Sequence, residues 1–307
     1  GNDVLVGGAG NDELTGNAGN DTFNVDSGTD TLADLGGSSG GESDILVVSS
    51  GATVNATAIV NFTAASSSRN DGTANLTAKS SGGSIVMTNS AAGAYTITGG
   101  AGTDTLTGGS GDDTIVISIS AEGNSDTVDG KGGSDILQLS SGIHTLTTDN
   151  KLQNVETVKA HADGSTVNLT GQTEALIITG GAGTDSLTGG NAGDTINILN
   201  AGEGNSDTLD GGSGSDRIQL STGSHALTNN SKISNIETIL AHSGGSTVDL
   251  TNQTEAFTIT GDAAVISLYP EYAINLIKIG DIVSLDFNSV VLSIIEKEQG
   301  KLTARVI

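Results

Sequence analysis

The sequence is poor in the residues that build most globular cores and most covalent cross-links. Its 307 residues include no cysteine, no tryptophan and one proline, and only 2% of them are aromatic. The absence of cysteine excludes a disulfide framework, a thiol nucleophile and a zinc–thiolate site. No run of 18 apolar residues occurs, so the sequence predicts no membrane-spanning helix. A conventional core built on large aromatic rings is also excluded.

Basic residues are scarce as well. The chain has 11 lysines and arginines against 36 aspartates and glutamates, which gives a net charge of −25. Such a surface repels nucleic acid and anionic membranes, and we expect neither as a direct partner. Residues 1–261 hold 30 of the acidic residues, 7 of the basic ones and 44 of the 46 glycines. Acid and glycine therefore occur together, in a part of the chain that is suited to binding many cations.

A long unit is duplicated within this acidic part. The segment Gly-Gly-Ala-Gly-Thr-Asp at residues 99–104 recurs at residues 180–185, a shift of 81 residues. A degenerate copy precedes the two. We therefore divide the chain into residues 1–98, a degenerate unit, residues 99–179 and 180–261, two repeats, and residues 262–307, a distinct tail. The same shift relates His144 to His225 and His161 to His242, for which we predict surface strand or turn positions rather than a metal or catalytic role.

A nine-residue pattern, Gly-Gly-x-Gly-x-Asp-x-apolar-x, runs inside these units and is complete at residues 7–15. Its glycines permit tight turns in which main-chain carbonyls converge, and its Asp adds a carboxylate beside them. Turn chemistry alone explains Gly, Asn and Asp, but it does not require Asp at a fixed phase. The candidate metal ligands are Asp3, Asp12, Asp21, Asp30, Asp104, Asp113, Asp126, Asp135, Asp185, Asp194, Asp207 and Asp216.

The spacing predicts flattened coils with turns on alternate sides. The apolar residue two positions after each Asp belongs to a short strand and points inward, as at Leu14, Phe23, Leu106, Ile115, Leu187 and Ile196. Turns on the same side are 18 residues apart, which pairs Asp3 with Asp21 and Asp12 with Asp30. In the repeats the step becomes 22 residues, which pairs Asp104 with Asp126 and Asp113 with Asp135, because one half-turn is longer. Residues 136–179 and 217–260 lack the glycine turns and predict further coils without metal.

Stacked carboxylates repel each other in a partly dry turn. A hard cation that takes only oxygen ligands resolves the repulsion, and Ca²⁺ accepts six to eight such ligands in irregular geometry. Mg²⁺ demands a near-ideal octahedron, and softer metals prefer His or Cys. The expected cofactor is therefore Ca²⁺, bound as several ions.

The pattern resembles the nonapeptide of the RTX, or haemolysin-type calcium-binding, family. The resemblance covers most of residues 1–30, 99–137 and 180–218. It implies an all-β fold, a right-handed parallel β-helix (β-roll) with calcium in its turns. It also implies a bacterial protein that a type I secretion apparatus exports and that folds in the calcium outside the cell, at an extracellular or cell-surface location.

The tail differs from the rest of the chain. Residues 266–269, 273–279, 282–287, 290–296 and 302–307 predict strands of a small antiparallel meander. Three roles remain open: a cap on the end of the β-helix, part of a C-terminal secretion signal, or a foreign segment. Because the chain opens inside a Gly-Asn-Asp motif, we expect it to be a segment of a longer protein.

Three functions are compatible with this pattern. The first is a calcium-dependent structural segment of a bacterial cell-surface protein, either an S-layer protein or an adhesin, which self-associates or joins a surface lattice. The second is the calcium-binding C-terminal module of a secreted hydrolase, a protease or lipase whose catalytic domain lies elsewhere. The third, a β-helix polysaccharide lyase or epimerase, needs a groove of clustered bases that seven scattered ones do not supply. We therefore expect no enzyme activity in this chain and favour the first function.

Overall fold

A computed structural model of the chain describes residues 1–37, 42–91, 93–121, 124–201, 206–250, 252–254, 257–260, 264–266, 282–285, 290–298 and 301–306. The described residues form short β-strands and 3-10 turns at Asp149–Lys151 and Asn230–Lys232. They divide into two compact units, Gly1–Lys159 and Ala160–Ile307. In each unit the chain winds into stacked coils whose strands pair in parallel, and this confirms the predicted parallel β-solenoid.

The first unit contains three ladders of parallel strands, which cover different stretches of its coils. The longest contains Glu13–Leu14, Thr29–Leu32, Thr53–Ile59, Thr73–Ala78, Tyr95–Gly99, Thr114–Ile117, Ile136–Leu139 and Thr157–Lys159. The second contains Val4–Val6, Thr22–Val25, Ile45–Val48 and Arg69–Asn70. The third contains Asn61–Thr63, Ser84–Val86, Thr105–Thr107, Thr127–Asp129 and Leu152–Gln153. A further strand is Gly142–Thr145.

The second unit repeats this arrangement. Its longest parallel ladder contains Ile177–Thr179, Thr195–Ile198, Arg217–Leu220, Thr238–Leu240 and Thr258–Thr260. Another contains Ser165–Asn168, Ser186–Thr188, Thr208–Asp210 and Ile233–Ser234, and a third contains Gly223–Ala226, Ser246–Asp249 and Ala264–Ile266. The coils outside the nonapeptide pattern therefore continue the same ladders as the coils within it.

The core of each unit is a column of inward-facing aliphatic side chains. Along the strands, residues alternate between buried and partly exposed, so that every second residue faces inward. The register stacks Ile97 on Ile115 and Ile115 on Leu137, and all three are fully buried. Complete burial of one such side chain stabilises the fold by about 1.5–3 kcal/mol. The six apolar residues predicted to point inward, from Leu14 to Ile196, are all buried.

The tail contains an antiparallel sheet, as predicted. Ile282–Leu285 pairs with Val290–Glu298, which in turn pairs with Lys301–Val306. Ala264–Ile266, which follows Gly261, still pairs in parallel with the coil strand Ser246–Asp249. The predicted strand at 273–279 and most of that at 266–269 lie outside the described residues. No helix in the described part of the chain is long and apolar enough to cross a membrane.

One expectation about histidine is wrong. His144 and His225 are buried rather than at the surface. The Nε2 of His144 lies 2.9 Å from the carbonyl oxygen of Ser140, four residues earlier, and His225 repeats this contact with Ser221 at 3.0 Å. Each histidine lies on a short strand, and its ring is buried against the carbonyl oxygen of the bend before that strand. Burial lowers the pKa of His144. His161 and His242 do lie in turns, with Nδ1 accepting an N–H from Asp163 and Gly244 respectively.

Candidate metal-binding turns

Eleven of the predicted ligands lie immediately before a short strand, Asp30 lies within the strand Thr29–Leu32, and most of the twelve are buried. Asp3 is exposed and Asp12 is half-buried. The other ten, Asp21, Asp30, Asp104, Asp113, Asp126, Asp135, Asp185, Asp194, Asp207 and Asp216, are buried. Two residues after each of them is an aliphatic or aromatic side chain, which is buried in every case except Leu5, after Asp3. The same local alternation that buries the core residue therefore turns the carboxylate into the coil.

The structure brings the predicted partners together by a specific contact. The main-chain N–H of one Asp donates to Oδ1 of the Asp in the same turn of the next coil. At the 18-residue step, Asp3 donates to Asp21 at 2.7 Å and Asp12 to Asp30 at 3.0 Å. The 22-residue step gives N–O distances of 2.9 Å for Asp104–Asp126, 2.7 Å for Asp113–Asp135, 2.9 Å for Asp185–Asp207 and 2.6 Å for Asp194–Asp216. Both predicted steps are confirmed.

We call each column of side chains joined in this way a carboxylate ladder. Three members were missed from the sequence: Asp44, which accepts from Asp21, Glu156, which accepts from Asp135, and Glu237, which accepts from Asp216. Their signal was present, because each precedes a buried apolar residue by two positions, as the predicted aspartates do. The six ladders are Asp3–Asp21–Asp44, Asp12–Asp30, Asp104–Asp126, Asp113–Asp135–Glu156, Asp185–Asp207 and Asp194–Asp216–Glu237.

The second carboxylate oxygen, Oδ2, has two kinds of environment. In Asp44, Asp113, Asp185 and Asp194 it accepts a glycine N–H at 2.6–2.8 Å. In Asp12, Asp30, Asp135 and Asp216 it is buried and makes no hydrogen bond. A buried carboxylate oxygen without a donor is costly, so these four turns leave an oxygen ligand available for a cation.

The first glycine of the pattern is required by the carboxylate. A methyl group built on Gly108 would lie 2.4 Å from Oδ2 of Asp113 and 2.5 Å from the carbonyl oxygen of Gly130. On Gly7 it would lie 2.2 Å from Oδ2 of Asp30 and 3.6 Å from Oδ2 of Asp12. Carboxylate and carbonyl oxygens thus meet over a glycine Cα that leaves no space for a side chain.

Burial dominates the electrostatics of these carboxyl groups. It raises the pKa of Asp44, Asp113, Asp185 and Asp194 above the usual value. In Asp135, burial and the neighbouring charges of Asp113, Glu156 and Asp112 raise the pKa to about 6. In Asp216, burial and the charges of Asp194, Glu237 and Asp210 have the same effect, again to about 6. A bound cation would reverse this direction, because it stabilises the ionised form.

The donor set fits calcium. Among the described residues, no three His, Asp or Glu side chains converge into a metal cage. An ion in these turns would therefore be held by one or two carboxylates, such as Asp12 and Asp30, together with main-chain carbonyls of the glycine turn. Hard oxygen donors in irregular number are what Ca²⁺ accepts. The ion pairs Arg69–Asp71 and Lys131–Asp129 lie outside the ladders.

Comparisons with known proteins agree with this geometry. The model of one family, HemolysinCabind, described as "RTX calcium-binding nonapeptide repeat (4 copies)", matches residues 1–32, 92–116, 118–142, 177–196 and 191–224. These segments contain all twelve predicted ligands. The searches of curated proteins and of solved structures gave no match.

Proposed function

Because this chain carries RTX calcium-binding nonapeptide repeats, we propose that it is a calcium-dependent structural segment of a secreted bacterial cell-surface protein, of the S-layer or adhesin type. A type I secretion apparatus exports it, and it folds when it meets calcium outside the cell. Both the secretion route and the surface role rest on the character of RTX repeats rather than on a contact in this molecule.

The continuity of the ladders supports a structural role. In the first unit, strands Thr53–Ile59 and Thr73–Ala78 lie outside the matched repeats, yet they pair in register with Thr29–Leu32 on one side and Tyr95–Gly99 on the other. Repeat coils and spacer coils therefore form one stack. A protein that lengthens by adding coils is suited to building stalks and lattices.

The turn chemistry supports calcium-dependent folding. Ten of the predicted ligands are buried, and the chain has 11 basic residues against 36 acidic ones. Burying so many carboxylates without cations is unfavourable. Ions that bind only the folded state stabilise it by mass action. We expect the low calcium of a cytoplasm to leave the chain largely unfolded, which suits export.

The histidines support a role without catalysis. Nε2 of His144 and of His225 contacts the carbonyl oxygen of the residue four positions earlier, and Nδ1 of His161 and of His242 accepts a nearby main-chain N–H. Each ring therefore serves its local structure. We propose that the segment is not an enzyme.

Light scattering across a calcium titration tests the proposal. Bound calcium cancels repulsion both within a molecule and between neighbouring acidic molecules. We expect the purified chain to fold and then to associate into larger particles as calcium rises into the millimolar range, about 10⁻⁴–10⁻³ M for extracellular calcium modules. Magnesium at equal ionic strength is the control and should give neither effect.

Two outcomes would contradict parts of the proposal. If the chelated chain keeps its full β-sheet signal in circular dichroism, folding does not depend on calcium. If the calcium-loaded chain stays monomeric at high protein concentration, the lattice form fails, and a monomeric adhesin stalk or a hydrolase module fits better.

A further inference from the structure

The coil that follows each block of repeats has a turn whose sequence departs from the nonapeptide pattern. In the first unit this sequence is Asn154-Val155-Glu156, and in the second it is Asn235-Ile236-Glu237. Neither contains glycine, and the matched repeats end before them, at residues 142 and 224. Nothing in the nonapeptide pattern assigns these turns a ligand.

Glutamate takes the place of the ladder aspartate in these turns. The N–H of Asp113 donates to Oδ1 of Asp135 at 2.7 Å, and the N–H of Asp135 then donates to Oε2 of Glu156 at 2.6 Å. The second unit repeats the final step from Asp216 to Glu237 at 2.7 Å. The side chain of Glu156 is one methylene longer than that of an aspartate. It reaches the ladder across a step of 21 residues, whereas the preceding step is 22 residues. Both glutamates are exposed, so an ion from solvent has access.

Asparagine takes the place of the first glycine. Asn154 and Asn235 have φ of 51° and 53°, in the left-handed region, and each donates from Nδ2 to Oδ1 of Asp129 or Asp210 at 2.7 Å. The carbonyl oxygen of Asn154 lies 2.0 Å from a methyl group built on Gly130, whereas Oδ2 of Asp135 lies 2.4 Å from it. This is the arrangement that Gly130 itself provides for Asp113 one coil earlier.

In the last aspartate of each block, Oδ2 has no hydrogen-bond donor. One coil earlier, Oδ2 of Asp113 and of Asp194 accepts the N–H of Gly109 or Gly190 at 2.6 Å. The equivalent residues of the last turn, Lys131 and Gly212, have positive φ (72° and 89°) and donate to Asp129 and Asp210 instead. Oδ2 of Asp135 and of Asp216 is consequently buried without a hydrogen bond, in side chains that are 1% exposed.

We propose that Asp135 with Glu156, and Asp216 with Glu237, form two equivalent calcium sites at the ends of the repeat blocks. Each site comprises the unpartnered Oδ2, the glutamate carboxylate and the carbonyl oxygen of Asn154 or Asn235. The cation replaces the missing N–H donor. The oxygen donors and the open side toward water, which supplies further ligands, suit Ca²⁺ better than Mg²⁺. The inference rests on the proposed binding of calcium by this stack.

Counting bound calcium by equilibrium dialysis tests the two sites. Glu156→Gln and Glu237→Gln each keep an oxygen that can accept the N–H of the preceding Asp, but remove the charge. We expect each variant to bind one ion fewer than the unaltered chain and the double variant to bind two fewer. Glu13→Gln, an exposed glutamate outside the ladders, is the matched control and should bind the full number.

The outcomes separate the two hypotheses. A wild-type chain that binds no calcium would overturn the proposed function itself. A wild-type chain that binds calcium, with an unchanged count in the double variant, would overturn only these two sites. If a variant loses its β-sheet signal in saturating calcium, Glu156→Asp replaces it, because it keeps the charge but falls one methylene short. We then expect one ion to bind at least about tenfold more weakly, and unchanged affinity for every ion would overturn the site.

Discussion

At the scale of single residues, each aspartate of the ladders has two distinct oxygens with two tasks. Oδ1 accepts a main-chain N–H of the neighbouring coil and so fixes the stacking, as between Asp113 and Asp135. Oδ2 either accepts a glycine N–H or remains without a donor, as in Asp135. Because Oδ1 is occupied by a main-chain N–H, the second oxygen is where a cation can bind and stabilise the turn.

Two glycines of one turn give a matched test of this close packing. A methyl group on Gly130 would lie 2.0 Å from the carbonyl oxygen of Asn154, whereas one on Gly132 would lie no nearer than 4.0 Å to any atom outside its own vicinity. We expect Gly130→Ala to lower the free energy of unfolding in calcium by about 1–3 kcal/mol through overpacking. Gly132→Ala should change it by less than about 0.5 kcal/mol. Urea unfolding followed by circular dichroism measures both.

Equal stability of the two variants would show that the turn relaxes around the added methyl group. The first glycine of the pattern would then be required only for the main-chain conformation of the turn.

The sequence predicted the phase of the ligands but not all of their chemistry. The fixed distance from Asp to the next apolar residue was sufficient to place Asp104 and Asp113 in turns and Leu106 and Ile115 in the core. The same distance separates Glu156 from Val158, but it was not recognised there because that turn lacks glycine and has Glu in place of Asp. It also did not reveal that His144 is buried, since a duplicated position in a polar stretch carries no information about the direction of its side chain.

At the scale of the coil, a longer half-turn changes the step without breaking the stack. The register moves from an 18-residue step, as for Thr96 and Thr114, to a 22-residue step, as for Thr114 and Ile136. Both steps join the same ladder of strands. The extra residues lie between the strands Thr114–Ile117 and Thr127–Asp129, both of which keep their parallel partners. Spacing between aspartates was therefore enough to predict the coils.

The coil geometry predicts which aspartates share an ion. The N–H of Asp104 contacts Oδ1 of Asp126 at 2.9 Å, so the two carboxylates belong to one column. We expect Asp104→Ala and Asp126→Ala each to lose the same calcium ion, and the double variant to lose no more than either single one. Isothermal titration calorimetry gives the number of ions, and the corresponding pair in the second repeat, Asp185 and Asp207, should behave alike.

Loss of two ions in the double variant, one from each substitution, would mean that adjacent coils do not share a site. The stacked aspartates would then each bind a separate ion.

At the scale of the whole molecule, charge and stability are coupled through the buried carboxyl groups. Burial raises the pKa of Asp44, Asp113, Asp135, Asp185, Asp194 and Asp216. Without calcium, the folded chain holds protons on these groups more tightly than the unfolded chain does. Since the net charge is −25, protonation also reduces repulsion within the molecule. The calcium-free fold is thus expected to favour mildly acidic solution.

This coupling gives a pH prediction with a definite sign. For a carboxyl group whose pKa is raised by folding, the contribution to stability falls as pH rises from the unfolded value, 3.8, to the folded one, about 6 for Asp135 and Asp216. His144 acts in the opposite sense, because its lowered pKa removes stability as pH falls below 6.5, but it is one group against six. We therefore expect the calcium-free chain, largely unfolded near pH 7, to gain β-sheet signal in circular dichroism near about pH 4.5, where these carboxyl groups are protonated in the folded state. Saturating calcium should remove or reverse the trend, because bound ions keep the carboxylates ionised. A calcium-free chain with no more β-sheet signal at pH 4.5 than at pH 7 would show that these carboxyl groups reach solvent, and that calcium is not needed to offset their burial.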